Sequence, residues 1–360
     1  MSALTLLLLA PLLARPLGVW EQVQHALEGW LQPPVVTPTL NTSGPVPVRR
    51  AAEDGQPEFY RKAMDATIEV LVDDHLNGTG FVVSPGGYAM TAAHVVQGPG
   101  RRIEARTRLG RVAAEVVAVD LGHDISLIKL ASPGPGVVWS HLELAEAPPV
   151  VGTQLFLLGT PIYRHHVVLS GHVARADPTF EYLPDEQRYV RIMHMSGMSP
   201  PGTSGSPCML SDGRVVGVVS GHMLYEGSFV GVAFIAPLDA MRRLSQRVED
   251  ARTPSLGVAV EEIWEQPEHY LRRFPPRTEG LMASLVVPGG PAEAAGLRAE
   301  DLITHIDGQR VSERDQLLSF VRAQAPGQVV ALTVQRPHEA AVTVRVKLDA
   351  LETRPQPTNP

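Results

Sequence analysis

The chain has 360 residues, 44% hydrophobic and 19% charged, with 32 Gly and 32 Pro. That composition excludes a coiled coil or a disordered acidic chain and describes a loop-rich globular protein with room for about two domains. Lys and Arg number 31 against 38 Asp and Glu, a formal net charge of -7, which argues against a surface dominated by a nucleic-acid footprint.

In chain order, Ala3 to Ala14 are apolar apart from Thr5 and are interrupted by Pro11. This is the length of a signal-peptide core and short for a bilayer span. Beyond Arg15, the residues Leu17, Trp20, Val23, Leu27, Trp30 and Leu31 recur at helical spacing. They fit a helix laid on a membrane surface, on a partner subunit or on its own domain, and the spacing leaves these open. Residues 1–31 therefore read as a signal peptide or N-terminal anchor plus an amphipathic helix. Residues 32–59, with Pro33-Pro34 and Gly44-Pro45-Val46-Pro47, read as a semi-extended linker.

From 60 to 250, short apolar runs are broken by Gly, Pro and Asp about every ten residues. The runs are Ile68–Val72, Gly80–Val83, Val116–Val119, Ile125–Leu130, Gln154–Leu158, His166–Leu169, Arg214–Val219 and Val230–Ile235. They predict a mostly-β barrel or sandwich. From 251 to 350 a smaller mixed unit follows, with strands predicted at Leu256–Val260, Leu281–Val287, Leu302–Ile306, Val329–Gln335 and Val342–Leu348. Helices are predicted at Pro291–Ala295 and Glu313–Gln324, the latter with Leu317, Leu318, Phe320 and Val321 on its buried face. Residues 351–360 read as a disordered tail.

Three segments of the larger unit carry chemistry when read together. Thr91-Ala92-Ala93-His94 closes a strand-and-turn unit, His123-Asp124-Ile125-Ser126 follows it, and Gly202-Thr203-Ser204-Gly205-Ser206 comes last. A serine hydroxyl becomes a nucleophile when an imidazole takes its proton, and the imidazole needs a buried carboxylate to fix its tautomer. His94, Asp124 and Ser204 fit those roles, with Asp120 a rival orienter. The glycines beside Ser204 permit a turn in which the N–H groups of Gly202 and Ser204 converge on an oxyanion. The order His, Asp, Ser is that of the chymotrypsin fold, and Ser206 stands where a nucleophile elbow needs its last Gly.

His165-His166 lacks a third metal ligand, and no phosphate-binding Gly loop is present. No metal and no cofactor are therefore expected. The one cysteine, Cys208, forbids an intrachain disulfide and a multi-cysteine zinc site, and reads as a small buried strand residue.

These segments resemble the HtrA/Deg family of serine proteases, in which a trypsin-like double β-barrel is followed by a small α+β PDZ domain. Gly78–Val83 with Thr91–Val96, His123–Leu130 and Pro201–Pro207 resemble the family's His, Asp and Ser segments. The departures are Thr203 in place of Asn, Ser206 in place of a second Gly, and Pro200 in place of Asn. Glu279-Gly280-Leu281-Met282 resembles a PDZ carboxylate-binding loop, with a peptide groove between Leu281–Val286 and the Glu313–Gln324 helix. Val287 to Leu297 resembles the short helix and turn of protease-linked PDZ domains.

The resemblance implies an exported endopeptidase, periplasmic or membrane-associated facing the periplasm, that degrades or processes unfolded or misfolded proteins. It also implies recognition of exposed C-termini and a homo-oligomer, specifically a trimer. A sensor protease with one dedicated substrate is an alternative. A non-proteolytic PDZ chaperone or adaptor is another, against which the intact His94, Asp124 and Ser204 argue.

Overall fold

Each apolar run of the larger unit becomes a strand because the Gly, Asp and Pro residues between runs supply the turns. The computed structural model describes residues 56–352 apart from positions 99, 133, 137 and 338. The expected signal peptide or anchor, most of the linker and most of the tail lie outside these residues. Among the described residues no helix is long and apolar enough to cross a membrane.

Helix α1 (Glu58–Ala66) leads into β1 (Thr67–Val72), β2 (His75–Val82), β3 (Tyr88–Ala92) and the one-turn helix α2 (Ala93–Val96). Strands β4 (Ile103–Thr107), β5 (Gly110–Asp120) and β6 (Ile125–Leu130) complete a closed barrel of order β1-β2-β3-β6-β5-β4. The second barrel holds β7 (Gln154–Gly159), β8 (Val167–Leu183), β9 (Arg188–Ser196), β10 (Pro207–Met209), β11 (Val215–Tyr225) and β12 (Ser228–Pro237). Its order, β7-β8-β9-β12-β11-β10, repeats that of the first. Closure leaves neither barrel an open edge. Helix α3 (Leu238–Arg247) follows β12. Phe81, Ile125 and Leu127 of one barrel share an apolar cluster with Leu158, Met209, Val215 and Val218 of the other. Phe59 of α1 joins the cluster and stacks on Phe156, 4.2 Å between ring centroids. This seam positions everything that follows.

Strands β4 and β9 and helices α1 and α3 are absent from the sequence expectation. In β4 only Ile103 and Ala105 are buried, and the polar residues between them hide the strand period. His166 was expected to begin a strand. It lies instead in the turn before β8 at φ +56°, and His165, in the same turn, pairs its Nδ1 with Glu69 at 2.5 Å.

The remaining chain forms β13 (Pro254–Ser255), β14 (Val258–Glu262), helix α4 (Glu268–Leu271), β15 (Leu281–Val286), helix α5 (Pro291–Ala294), β16 (Leu302–Ile306) and β17 (Gln309–Arg310). Helix α6 (Arg314–Arg322), β18 (Val329–Gln335), β19 (Val342–Lys347) and β20 (Asp349–Ala350) complete it. The main sheet runs β14-β15-β16-β18-β19, with β17 pairing β16. Leu317, Leu318 and Val321 of α6 pack on Val258 and Val260 of β14, and Phe180 and Tyr189 of the barrel unit enter the same cluster. The two units are pinned by Asp315, which accepts from Thr179 Oγ1 (2.6 and 2.8 Å), Phe180 N (3.1 Å) and Arg175 Nη2 (3.0 Å).

Candidate active site

Chain reversals at the ends of β3 and β5 bring the first two expected residues together. Asp124 sits in the turn between β5 and β6 at φ +54°, a conformation Asp tolerates better than most residues. The turn is held to α2 by Ala93 N donating to Asp124 O at 3.0 Å. Asp124 Oδ2 then accepts from His94 Nδ1 at 2.7 Å and from Ser220 Oγ at 2.6 Å. Its Oδ1 accepts from His94 N at 3.0 Å and lies 3.4 Å from Arg188 Nη2. A carboxylate with four donors stays ionised, so Nδ1 carries the imidazole proton and Nε2 is the free base. Asp124 is fully buried while the His94 side chain is 26% exposed.

Burial works against both charges, and the pairing outweighs it. Burial depresses His94, but the charge and hydrogen bond of Asp124 leave its pKa above the ordinary 6.5. Burial pushes the Asp124 carboxyl up, but His94, Arg188 and Ser220 hold it below the ordinary carboxylate value. The rival Asp120 takes no part, since its Oδ2 pairs with His123 Nδ1 at 2.8 Å.

Ser204 is carried on a tight turn in front of β10. Pro200 O accepts from Thr203 N at 3.1 Å, with Pro201 and Gly202 at the corner and Gly202 at φ +93°. Pro followed by a positive-φ Gly is the type II turn pattern. A Cβ on Gly202 would run into the Thr160 carbonyl, and one on Gly205 (φ +86°) into that of Thr79. Both positions require glycine. Thr79 threads the turn to the first barrel: its N donates to Ser204 O and its Oγ1 to Gly202 O, both at 2.8 Å. With that hydroxyl proton spent, Thr160 Oγ1 is the donor to Thr79 Oγ1 at 2.9 Å.

Pro201 O accepts from Ile162 N at 2.8 Å. In a trans peptide the Gly202 N–H then points away from Ile162. Neither the Gly202 nor the Ser204 N–H is donated to another described residue, which leaves both available to an oxyanion. Ser204 Oγ itself donates to Ser220 O at 3.4 Å rather than to His94. Hydrogen bonds between a nucleophile and its base are often long or absent before substrate arrives and form in the substrate complex.

The structure thus gathers His94, Asp124, Ser204 and the Gly202 and Ser204 amides at one seam. It adds Thr79, Ser220 and Arg188, to which the sequence reading gave no such role. Of these, Thr79 had a local signal, because it stands between the two glycines of the His segment.

The smaller unit requires a correction. Glu279, Gly280, Leu281 and Met282 were expected to form a carboxylate loop leading to an open strand, but β15 lies inside the sheet. Leu281 pairs with Glu262 on one side and Ile303 on the other, and Met282 with Glu261 and Leu302. A peptide cannot add to a strand whose backbone is engaged on both sides. The open edge facing α6 belongs to β14. There Val260 meets Tyr189, whose hydroxyl donates to Val260 O at 2.9 Å and accepts from Val260 N at 2.8 Å.

A family model for a trypsin-like peptidase domain matches residues 78–218, and one for a PDZ domain matches residues 282–336. A probable periplasmic serine endoprotease, DegP-like, of Halomonas elongata is 29% identical over 274 residues, covering 75% of this chain and 56% of that protein. Its namesake in Hahella chejuensis is 28% identical over 304 residues, covering 82% and 62%. The chain therefore spans somewhat over half the length of these relatives. Among solved structures, the HtrA-type protease AlgW with a decapeptide shares the fold at a TM-score of 0.57 and 20% identity, covering 83% of this chain and 99% of that one. The serine endoprotease from Yersinia pestis does so at 0.54 and 17%, covering 82% and 97%.

Proposed function

We propose that this chain, which belongs to the HtrA/Deg family with its trypsin-like double barrel and following PDZ domain, is a serine endopeptidase. The observation that carries the reading is an Asp124-held His94 joined to Ser204 through Ser220, whose hydroxyl donates to Asp124 and whose carbonyl accepts from Ser204, beside a turn that keeps two N–H donors unspent. Ser204 Oγ rotates from the Ser220 carbonyl to His94 Nε2, which takes its proton as Oγ attacks the scissile carbonyl carbon. The carbonyl oxygen becomes an oxyanion between the Gly202 and Ser204 amides. As the C–N bond breaks, His94 returns the proton to the leaving amine. Water repeats the sequence on the acyl-enzyme, with His94 again base and then acid.

The substrates we assign are unfolded or misfolded proteins outside the cytoplasm. The apolar run 3–14 and the periplasmic names of the relatives support that location. The working form is a homo-oligomer, a trimer by family resemblance. Digestion of an unfolded model protein across pH tests the activity. The base must be neutral, and Asp124 raises His94 despite its burial. Accordingly kcat/KM should climb along an acid limb centred above pH 6.5, the ordinary imidazole value. A limb centred below that value, or no cleavage at any pH, contradicts the assignment.

Peptide recognition in this reading uses the β14 edge and the groove toward α6. Tyr189 and Phe180 already lie there, and together with the Ser204 hydroxyl turned to Ser220 they favour an enzyme held at rest until a C-terminus displaces them. Tyr189→Phe leaves the Val260 N–H and C=O unpaired. It should tighten binding of an apolar peptide with a free C-terminal carboxylate about ten-fold, read by calorimetry against the amidated peptide. Unchanged or weaker binding contradicts this placement of the groove.

A further inference from the structure

The carboxylate of Asp124 touches a cation that a serine, an imidazole and an orienting carboxylate do not need. Arg188, the first residue of β9, is 4% exposed. Its Nη2 lies 3.4 Å from Asp124 Oδ1, and its Nη1 donates to Glu186 Oε2 at 2.8 Å. The Gln97 amide, oriented by its neighbours, accepts from Nη1 and Nη2 at 3.2 and 2.8 Å and donates to Glu186 Oε2 at 2.8 Å. Gln97 is the residue that ends α2, the helix carrying His94. One guanidinium from the second barrel thus braces both first-barrel segments of the site. Taking a cation out of water is costly, and an apolar side chain of similar volume would fill the place at less expense. The position therefore calls for a role beyond packing.

We propose that Arg188 is a positioning residue of the active site: it pins the Asp124 carboxylate in register with the imidazole and, opposed by Glu186, tunes the charge that His94 feels. The proposal rests on the endopeptidase reading above. The charged groups facing His94 are Asp124 from the β5–β6 turn, Glu186 from the β8–β9 connection and Arg188 from β9. Those facing Asp124 are His94 and Arg188, with the Ser220 hydroxyl beside them. Arg188 opposes protonation of His94, whereas Glu186 and Asp124 favour it. Removing the cation and removing the Glu186 anion must therefore act in opposite directions, a signature that loss of packing does not produce.

The test is the pH dependence of kcat/KM for the full chain on an unfolded protein, with a C-terminal peptide present to release the resting state, beside the rate at which a fluorophosphonate probe labels Ser204 under the same conditions. Arg188→Met should move the acid limb about one unit to higher pH and lower the plateau about ten-fold or more. Glu186→Gln should move the limb to lower pH. Arg188→Lys should return the limb close to its wild-type position while recovering only part of the plateau, because an ammonium cannot reproduce the planar fork. Should Arg188→Met fail to fold, the other two variants carry the comparison. Limbs that coincide with wild type, or that move in the same direction, overturn the role of Arg188. If wild type labels normally, that failure is confined to Arg188. If the wild-type serine is not labelled, the endopeptidase reading falls and the role of Arg188 falls with it.

Discussion

Ser204→Ala should abolish proteolysis, lowering kcat by ~10⁶, equivalent to about 8 kcal/mol of transition-state stabilisation. The hydroxyl makes only a 3.4 Å contact with Ser220 O in the resting site. The turn is instead built from backbone, from the Thr203 hydroxyl donating to Pro200 O at 2.7 Å, and from Thr79. The variant should accordingly melt at the wild-type temperature and bind C-terminal peptides as wild type does. Residual turnover within ~10² of wild type would assign the nucleophile elsewhere.

Asp124→Asn should cost ~10⁴ in kcat, about 5 kcal/mol, with the fold intact. Asn also tolerates the φ of +54° at this position. Its orientation is dictated by the neighbours. The oxygen must stay where Oδ1 accepts from His94 N and faces Arg188 Nη2, since neither partner can turn acceptor. The amide nitrogen then falls beside His94 Nδ1 and Ser220 Oγ, and the hydroxyl can reverse its role. Donation to Nδ1 forces the imidazole proton onto Nε2, which becomes a donor where a base is required. A well-folded Asp124→Asn with activity within ten-fold of wild type would show that Asp124 does not set the tautomer.

The chemical residues were legible because each lies in a short local pattern, and their order along the chain restricts the fold that can unite them. Asp120 and Asp124 are both buried acids in one turn, and the choice between them required the geometry. Arg188 and Tyr189 were not legible. They open an ordinary strand, and their roles arise from contacts 64 and 71 residues away, with Asp124 and Val260. The peptide edge was misplaced for a related reason. Both Leu256–Val260 and Leu281–Val287 read as apolar strands, one holding a glycine and the other following one, and the pairing order of the sheet, a long-range property, decides which has a free side. The helix opposite, by contrast, announces itself through Leu317, Leu318 and Val321, which are buried at helical spacing.

The most direct measurement is the site of covalent labelling by a fluorophosphonate, mapped by mass spectrometry on the full chain with a C-terminal peptide present to release the resting state. A base-activated serine in an oxyanion turn should give a single adduct on Ser204, absent from Ser204→Ala and much slower in Asp124→Asn. An unlabelled wild-type chain, or an adduct that persists in Ser204→Ala, would contradict the account.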